Sequence, residues 1–443
     1  MKRTLISILA LVTASVTMIS CGSSSSSNNT QGPSKLKFRT FISNPLSPNG
    51  AGGAPVLNIV DASKDVLSFS RISLAGNSAQ PGLMALSPNL QFTLVFSPSG
   101  NSATLIDNTR EGIAQVTNGT TNTPVPSINL PGVTESMFIG NANTTAYAAV
   151  PTAPITGQAP GAVEVLNLQT GSIAASIPVP GAHYIVPSPD GNHILVFSDN
   201  SDTVTVITAI AIGTHTDPRS YITGFDHPVW GVFTDNATAY ILNCGPQCGG
   251  IAAGVSLLSG GLPAPATTIP FNGTTIPVSG ATMGLVSGST LYVAGTPPAT
   301  ACGGGTAAPS CGKLSVIDTG SMTIAGAASI TDGYHARMQI SKDGQLFIGA
   351  RGCSNVSVSG GEVRGCLSIF NANRSSVVIP PQNGDVTGIQ PITSRNVVYV
   401  VQNGALAIYD TTTDKLQVTT GNTQNNNGQV NIVGQLFDVK LVD

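Results

Sequence analysis

Residues 185–209 read IVPSPDGNHILVFSDNSDTVTVITA, an apolar strand, a Ser-Pro-Asp-Gly turn, a second strand, a polar loop and a third strand. Pro189 presets its own φ, while Asp190 and Gly191 tolerate the tight reversal a hairpin requires. Ile194, Val196, Val204 and Val206 alternate with polar neighbours, the period of half-buried strands. What constrains the fold is that this module recurs. Further first strands and turns read LMALSPN (83–89), SMFIGNAN (136–143), VWGVFTDN (229–236), ATMGLVSGS (281–289), ARMQISKDG (336–344) and GIQPITSR (388–395). Third strands read ATLID (103–107), VEVLN (163–167), VSLL (255–258), LSVID (314–318), LSIFN (367–371) and LAIYD (406–410), and fourth strands such as SIAASIPV (172–179) end each module.

With Asn89, Asp190, Asp235 and Asp343 as markers, the period is about fifty residues, the size of one four-stranded propeller blade. Composition agrees with a strand-rich body. Among 443 residues only 9% are charged, there are 50 glycines and 30 prolines, and the net charge is −3. Charge so sparse and balanced excludes nucleic acid as a partner. No heptads, long amphipathic helices or second apolar stretch of transmembrane length follow the leader. The prediction is an all-β chain forming a single β-propeller of four-stranded blades over residues 36–443.

The ends predict how the ring closes. FRTFISN (38–44) and PVLNIVDAS (55–63) look like second and third strands without a first, and QLFDVKLVD (435–443) like a first strand without followers. Sharing one blade removes the open edges that invite aggregation. Seven complete modules plus the shared one give eight blades, with seven as the alternative. The rhythm of VID-type strands and SPDG turns resembles the YVTN-type β-propeller repeat family. That resemblance implies an architecture more than an activity, because propellers host unrelated functions.

Ahead of the repeats, Lys2 and Arg3 precede an apolar run from Thr4 to Ser20, suited to a secretory signal peptide over residues 1–20. Met18-Ile19-Ser20-Cys21 resembles the lipobox of bacterial lipoproteins, with methionine where leucine is usual. The resemblance implies cleavage before Cys21 and a covalent diacylglycerol and N-acyl lipid on it. Residues 21–35 then comprise the lipidated cysteine and a tether whose Ser23–Ser27 run buries nothing. Gly22, by the sorting rule of Gram-negative lipoproteins, implies a lipid-anchored place at the bacterial outer membrane.

Six further cysteines fall in pairs, each pair between the second and third strands of a module: Cys244 and Cys248, Cys302 and Cys311, Cys353 and Cys366. In an exported chain an even count reads as local disulfides. Zinc is the alternative, weakened by unequal spacings and by no histidine close in sequence. Hydrolase, haem, EF-hand and metalloprotease motifs are absent. Ser310-Cys311-Gly312-Lys313 matches Ser-x-x-Lys only formally, since it leads into a strand.

His183, His227 and His335 each stand at the start of a first, innermost strand, facing one end of the channel where propellers bind ligands. Glu135, Asp226, Trp230 and Arg337 hold neighbouring positions in their own blades. Together they form a candidate channel site for a ligand or a divalent metal. The alternative is that the histidines hydrogen-bond adjacent blades. No cofactor is demanded, no residue is assigned a catalytic role, and the polar insertions at 116–128 and 150–160 lean towards a non-catalytic binding or scaffold module for envelope proteins or polymers. Two enzymatic or redox readings compete: a lactonase-like hydrolase with a metal in the channel, which the resemblance includes, and a redox or copper-binding propeller.

Overall fold

Alternating branched apolar and polar residues make each repeat an antiparallel sheet, its first strand innermost. The computed structural model describes residues 33–46, 56–74, 80–118, 120–298, 311–354, 356–357, 363–417, 425–426 and 428–443. Blade 1 has Met84–Leu86 innermost, then Phe92–Ser97, Ser102–Asp107 and Ile128–Asn129. Blades 2 to 7 begin on Ser136–Ile139, Ala182–Pro187, Pro228–Phe233, Met283–Ser287, Tyr334–Ile340 and Val386–Ile392. Blade 8 has the order Val439–Leu441, Arg39–Asn44, Val56–Asp61, Val66–Ser73, so the C-terminal strand is innermost in a sheet otherwise built from the N-terminus. The register pairs Thr40 with Leu441 and Ile42 with Val439. Each innermost strand touches the next, from blade 1 round to blade 8 and back.

The apolar faces meet between blades. Eight buried clusters fill the eight inter-blade spaces, as where Phe96 of blade 1 packs with Ala148 of blade 2, or Phe197 of blade 3 with Ile241 of blade 4. Polar ties cross the same spaces. Arg395 of blade 7 grips Asp65 of blade 8, with NH2 2.7 Å from Oδ2, and the buried Tyr399 hydroxyl donates to the same carboxylate. Asp438, fully buried beside the closing strand, accepts the backbone N–H of Met84 in blade 1 at 3.0 Å.

The repeat's polar residues are spent on turns. Ser188 Oγ donates to Asp190 Oδ1 at 2.6 Å and accepts His193 N–H at 3.0 Å, while Gly191 takes φ +74°. Ser87 and Ser341 each accept the backbone N–H that opens the next strand, that of Phe92 at 2.8 Å and that of Gln345 at 3.0 Å. The acid ending the VID strands closes an Asx turn: Asp107 Oδ1 accepts Thr109 N–H at 2.9 Å and Asp318 Oδ1 accepts Ser321 N–H at 2.7 Å. These recurring acids of the repeat therefore serve its turns.

The insertions pack on the core between blades 1 and 2, where Val125 and Ala153 are buried. Gln115–Asn118 pairs with Thr121–Pro124 as a hairpin, and 151–161 is the loop between the second and third strands of blade 2. Three blades depart from the four-strand expectation: Gly112–Ile113 pairs with Ser102–Asp107 as an extra strand of blade 1, Thr268–Pro270 lies parallel to Arg219–Thr223 and adds a fifth strand to blade 3, and the short strands Lys415–Leu416, Asn425–Asn426 and Gln429–Val430 bring blade 7 to six.

Candidate functional site

An antiparallel blade puts the start of its first strand and the loop between its second and third strands at the same end of the channel. The described cysteine pairs of blades 4 and 6 thus stand at one mouth. Cys244–Cys248 and Cys353–Cys366 are disulfides, with Cα separations of 5.7 and 5.6 Å. Cys302 lies outside the described residues, and with it the pairing to Cys311; Cys21 and the segment 1–32 lie outside as well. The first disulfide holds a loop that folds over the mouth, where Gln247 Nε2 donates to Gly333 O of blade 6 at 3.0 Å and its Oε1 accepts Thr296 N–H at 2.9 Å. A histidine does stand against this loop, because Cys244 N–H donates to His227 O at 3.0 Å.

Charged side chains converge beneath the loop on a cavity of about 450 Å³ lined by Glu135, His183, Asp199, His227, Tyr334 and Arg351. His183 Nδ1 is 2.7 Å from Asp199 Oδ1, and its Nε2 is 3.8 Å from Glu135 Oε2. Arg351 of blade 6 reaches the same Glu135 oxygen at 3.4 Å, although blades 2 and 6 stand opposite in the ring. The pair therefore spans the mouth. Burial works against a charged His183, but the neighbouring carboxylates of Glu135 and Asp199 win and raise its pKa. The adjacent His183 ring and, despite partial burial, the charge of Arg351 hold Glu135 low. Both groups are thus biased towards their ionised forms.

A second cluster adjoins the first. Asp202, Asp226 and His227 bring one ligand atom each within 4.8 Å of one another. His227 Nδ1 lies 3.2 Å from Asp202 Oδ1 and 3.4 Å from Asp226 Oδ1, yet neither is aligned as a hydrogen bond and the buried atom is left without a partner. Asp226 is fixed by the N–H groups of Ile251 and Ala252 at 2.9 and 2.6 Å. His227 takes φ +50°, a left-handed conformation uncommon outside glycine, and is held there as its N–H donates to Asp202 at 3.1 Å. At Gly250 a Cβ would collide with Asp226 Oδ1 and stand 3.0 Å from His227 Nδ1, so only glycine leaves the cradle open.

The structure brings Glu135, His183, Asp226 and His227 to one mouth. Trp230 and Arg337 face the channel further in, on the wall of a second cavity of about 330 Å³. His335 is kept apart from both histidines. A bulge beside it turns its ring into the blade, where it is fully buried with Nε2 2.9 Å from Thr331 O. Asp199, Asp202, Tyr334 and Arg351 escaped the sequence reading. The signal for the first two was present, since SDNSD (198–202) occupies in blade 3 the loop position that the cysteines mark in later blades.

No protein-family model and no curated protein matches this chain. Solved structures do. Dihydro-heme d1 dehydrogenase NirN, in complex with DHE, superposes with a TM-score of 0.57 at 12% identity over 93% of this chain and 77% of that one. The C-terminal WD40 domain of Sif2 gives 0.53 at 10% identity over 82% and 94%. A functionally unknown protein from Desulfotomaculum acetoxidans gives 0.50 at 17% over 79% and 97%. The chain is an eight-bladed β-propeller. Identities this low carry the fold alone, so activity has to be argued from the mouth.

Proposed function

We propose that the charged mouth is a hydrolytic site for a small lactone or ester, using a divalent cation, in a propeller displayed at the bacterial cell envelope. The observation that carries this reading is the orphaned Nδ1 of His227, buried between two carboxylate oxygens at 3.2 and 3.4 Å. Ligand atoms about 2.0–2.2 Å from one cation stand about 2.8–3.6 Å from each other in tetrahedral or octahedral sites. The donor set, two carboxylates and one imidazole, suits that chemistry, and the strained φ of His227 is the kind of backbone distortion that accumulates at functional positions. A cation held by Asp202, Asp226 and His227 would polarise an ester carbonyl and acidify a bound water.

The chain's own residues supply the remainder. Arg351 presents a cation, anchored on Glu135, to a developing oxyanion or to a carboxylate on the substrate. His183, oriented through Nδ1 by Asp199, keeps Nε2 on the cavity side to give a proton to the leaving oxygen. A non-catalytic scaffold accounts for the ring but gives no reason for ionised groups from blades 2, 3, 4 and 6 to meet in one cavity. Copper is disfavoured, because His335 is withdrawn and the triad is rich in hard oxygen donors.

The test is hydrolysis of a panel of sugar-acid lactones by chelator-stripped protein, with magnesium, calcium, manganese or zinc restored in turn. One of these cations is expected to bind stoichiometrically and raise the rate. Asp202→Asn with Asp226→Asn should lower kcat/KM by about a thousandfold or more, as loss of a catalytic metal does. Gly250→Ala should do the same by filling the cradle. Equal rates with and without cation, in a folded protein, sink the proposal.

The envelope location rests on the disulfides, which persist in oxidising compartments, and on the lipobox resemblance at Cys21. Among the described residues no helix is long and apolar enough to cross a membrane. The anchor proposed is the acylated Cys21 alone, so Cys21→Ser should release the exported protein from membranes. Failure of the parent to incorporate labelled palmitate would overturn it.

A further inference from the structure

Beneath the mouth, Tyr184, Tyr334 and Glu135 form a floor shared by the outer cavity and by the inner chamber of about 330 Å³. Blades 2 to 6 and 8 contribute their innermost strands to the chamber wall, and Leu83 joins it just ahead of that of blade 1. Part of the wall is apolar and soft, with Met137, Phe138, Trp230, Met283 and Met338 on it, beside the polar Glu135, Gln339 and Lys440. Into this setting the chain places Arg337. Its Nε donates to Thr387 O and its NH1 to Ala336 O, each at 2.9 Å. Those two bonds fix the plane of the guanidinium and use two of its five N–H donors; among the described residues nothing accepts from the others.

The guanidinium has no ion-pair partner among the described residues. Glu135 and Asp438 are the carboxylates that face Arg337, and neither comes within ion-pair distance. Glu135 is committed to Arg351 and His183. Asp438 is committed to Lys440 at 3.2 Å, which neutralises the other cation on the chamber wall. A lone guanidinium among methionines and aromatic rings is costly unless an anion arrives to pair with it. Burial pushes the Arg337 pKa down, in keeping with a charge short of partners.

We propose that the inner chamber is a second binding site, for a small monocarboxylate with an aryl or short apolar body, its carboxylate on Arg337 and its body against Trp230. Planar guanidinium and carboxylate match as a two-bond fork. The chamber volume sits at the small end of ligand cavities, about 300–1,000 Å³. Access is from the far mouth, an opening of about 820 Å³ that shares Phe138, Trp230, Met283 and Met338 with the chamber. The site is independent of the proposed cation, which lies on the other side of the tyrosine floor.

Trp230 is the single tryptophan of the chain, so its emission reports on the chamber directly. Titrating the chelator-treated protein with benzoate, phenylacetate and hexanoate should give a saturable change with at least one of them. Its neutral amide should bind at least about tenfold more weakly, since it lacks the charge-assisted fork. Arg337→Gln should weaken the acid by a similar factor and leave the amide unchanged, and Arg337→Lys should fall between. Asp202→Asn, which removes a cation ligand, should leave the titration unaltered, separating this site from the hydrolytic one. No saturable change with any of the three acids overturns the proposal. So does equal affinity for acid and amide, a comparison that needs no variant to fold.

Discussion

Deleting residues 435–443 is expected to unfold the propeller under conditions in which the full chain is stable. The segment supplies the innermost strand of blade 8, and Leu436, Val439, Leu441 and Val442 are all buried. At about 1.5–3 kcal/mol for each fully buried aliphatic side chain, their loss removes about 6–12 kcal/mol, against a whole-domain stability of about 5–15 kcal/mol. Two further losses follow. The buried Asp438 no longer caps Met84 of blade 1, and Arg39 loses Asp443, whose carboxylate it grips at 2.7 Å through Nε. The exposed strand edge of Arg39–Asn44 then becomes a site for aggregation. An equal deletion of residues 23–31, which precede the described fold, is the control. Thermal melts compare the two truncations, and similar midpoints would show that the ring does not depend on this strand exchange.

The ring was legible in the sequence because blades are redundant. A strand missed in one copy is recovered from its phase in the others, and the unmatched strands at the two ends state their own pairing. The fifth strand of blade 3 was not legible, for an instructive reason. TTIP occurs twice, at 267–270 and 274–277, and the first copy joins blade 3 in parallel while the second joins blade 4 antiparallel. Identical local sequence takes opposite partners, so only the neighbouring edges decide.

The mouth was half legible. Position in the repeat places His183, His227 and Glu135 at one end of the channel, because each precedes or opens an innermost strand. It could not show that Arg351, at the end of a second strand, crosses to Glu135 from the opposite blade, since that contact spans 216 residues. Nor could it separate Asp202, beside the orphaned nitrogen of His227, from the many acids used in turns such as Asp107 and Asp318. The difference lies in what stands opposite. Asp107 and Asp318 meet only turn donors, whereas Asp202 and Asp226, besides accepting backbone N–H groups, stand against an imidazole nitrogen that has no hydrogen-bond partner.

His335 shows how position in the repeat misleads, and it yields the second large effect. Its Nε2 is 2.9 Å from Thr331 O, so that nitrogen carries the proton and Nδ1 is left bare, buried and without a partner. Charging the ring would place a cation in the blade interior. Burial lowers its pKa from 6.5 to about 4, outweighing the bond to Thr331 and the pull of Asp332. In the unfolded chain the ring titrates near its ordinary value, so between pH 6.5 and about 4 the unfolded state binds more protons and stability rises with pH. The stabilisation from keeping His335 neutral is complete above pH 6.5 and is lost progressively down to about pH 4, below which both states are protonated. At 1.36 kcal/mol per unit the swing is about 3 kcal/mol. His335→Gln retains an N–H donor for Thr331 and abolishes the titration. Denaturant unfolding across this range should therefore give a wild-type curve that falls more steeply on acidification than that of the variant, by about 3 kcal/mol in all. Parallel curves would mean that His335 charges inside the fold, and would return it to the channel with His183 and His227.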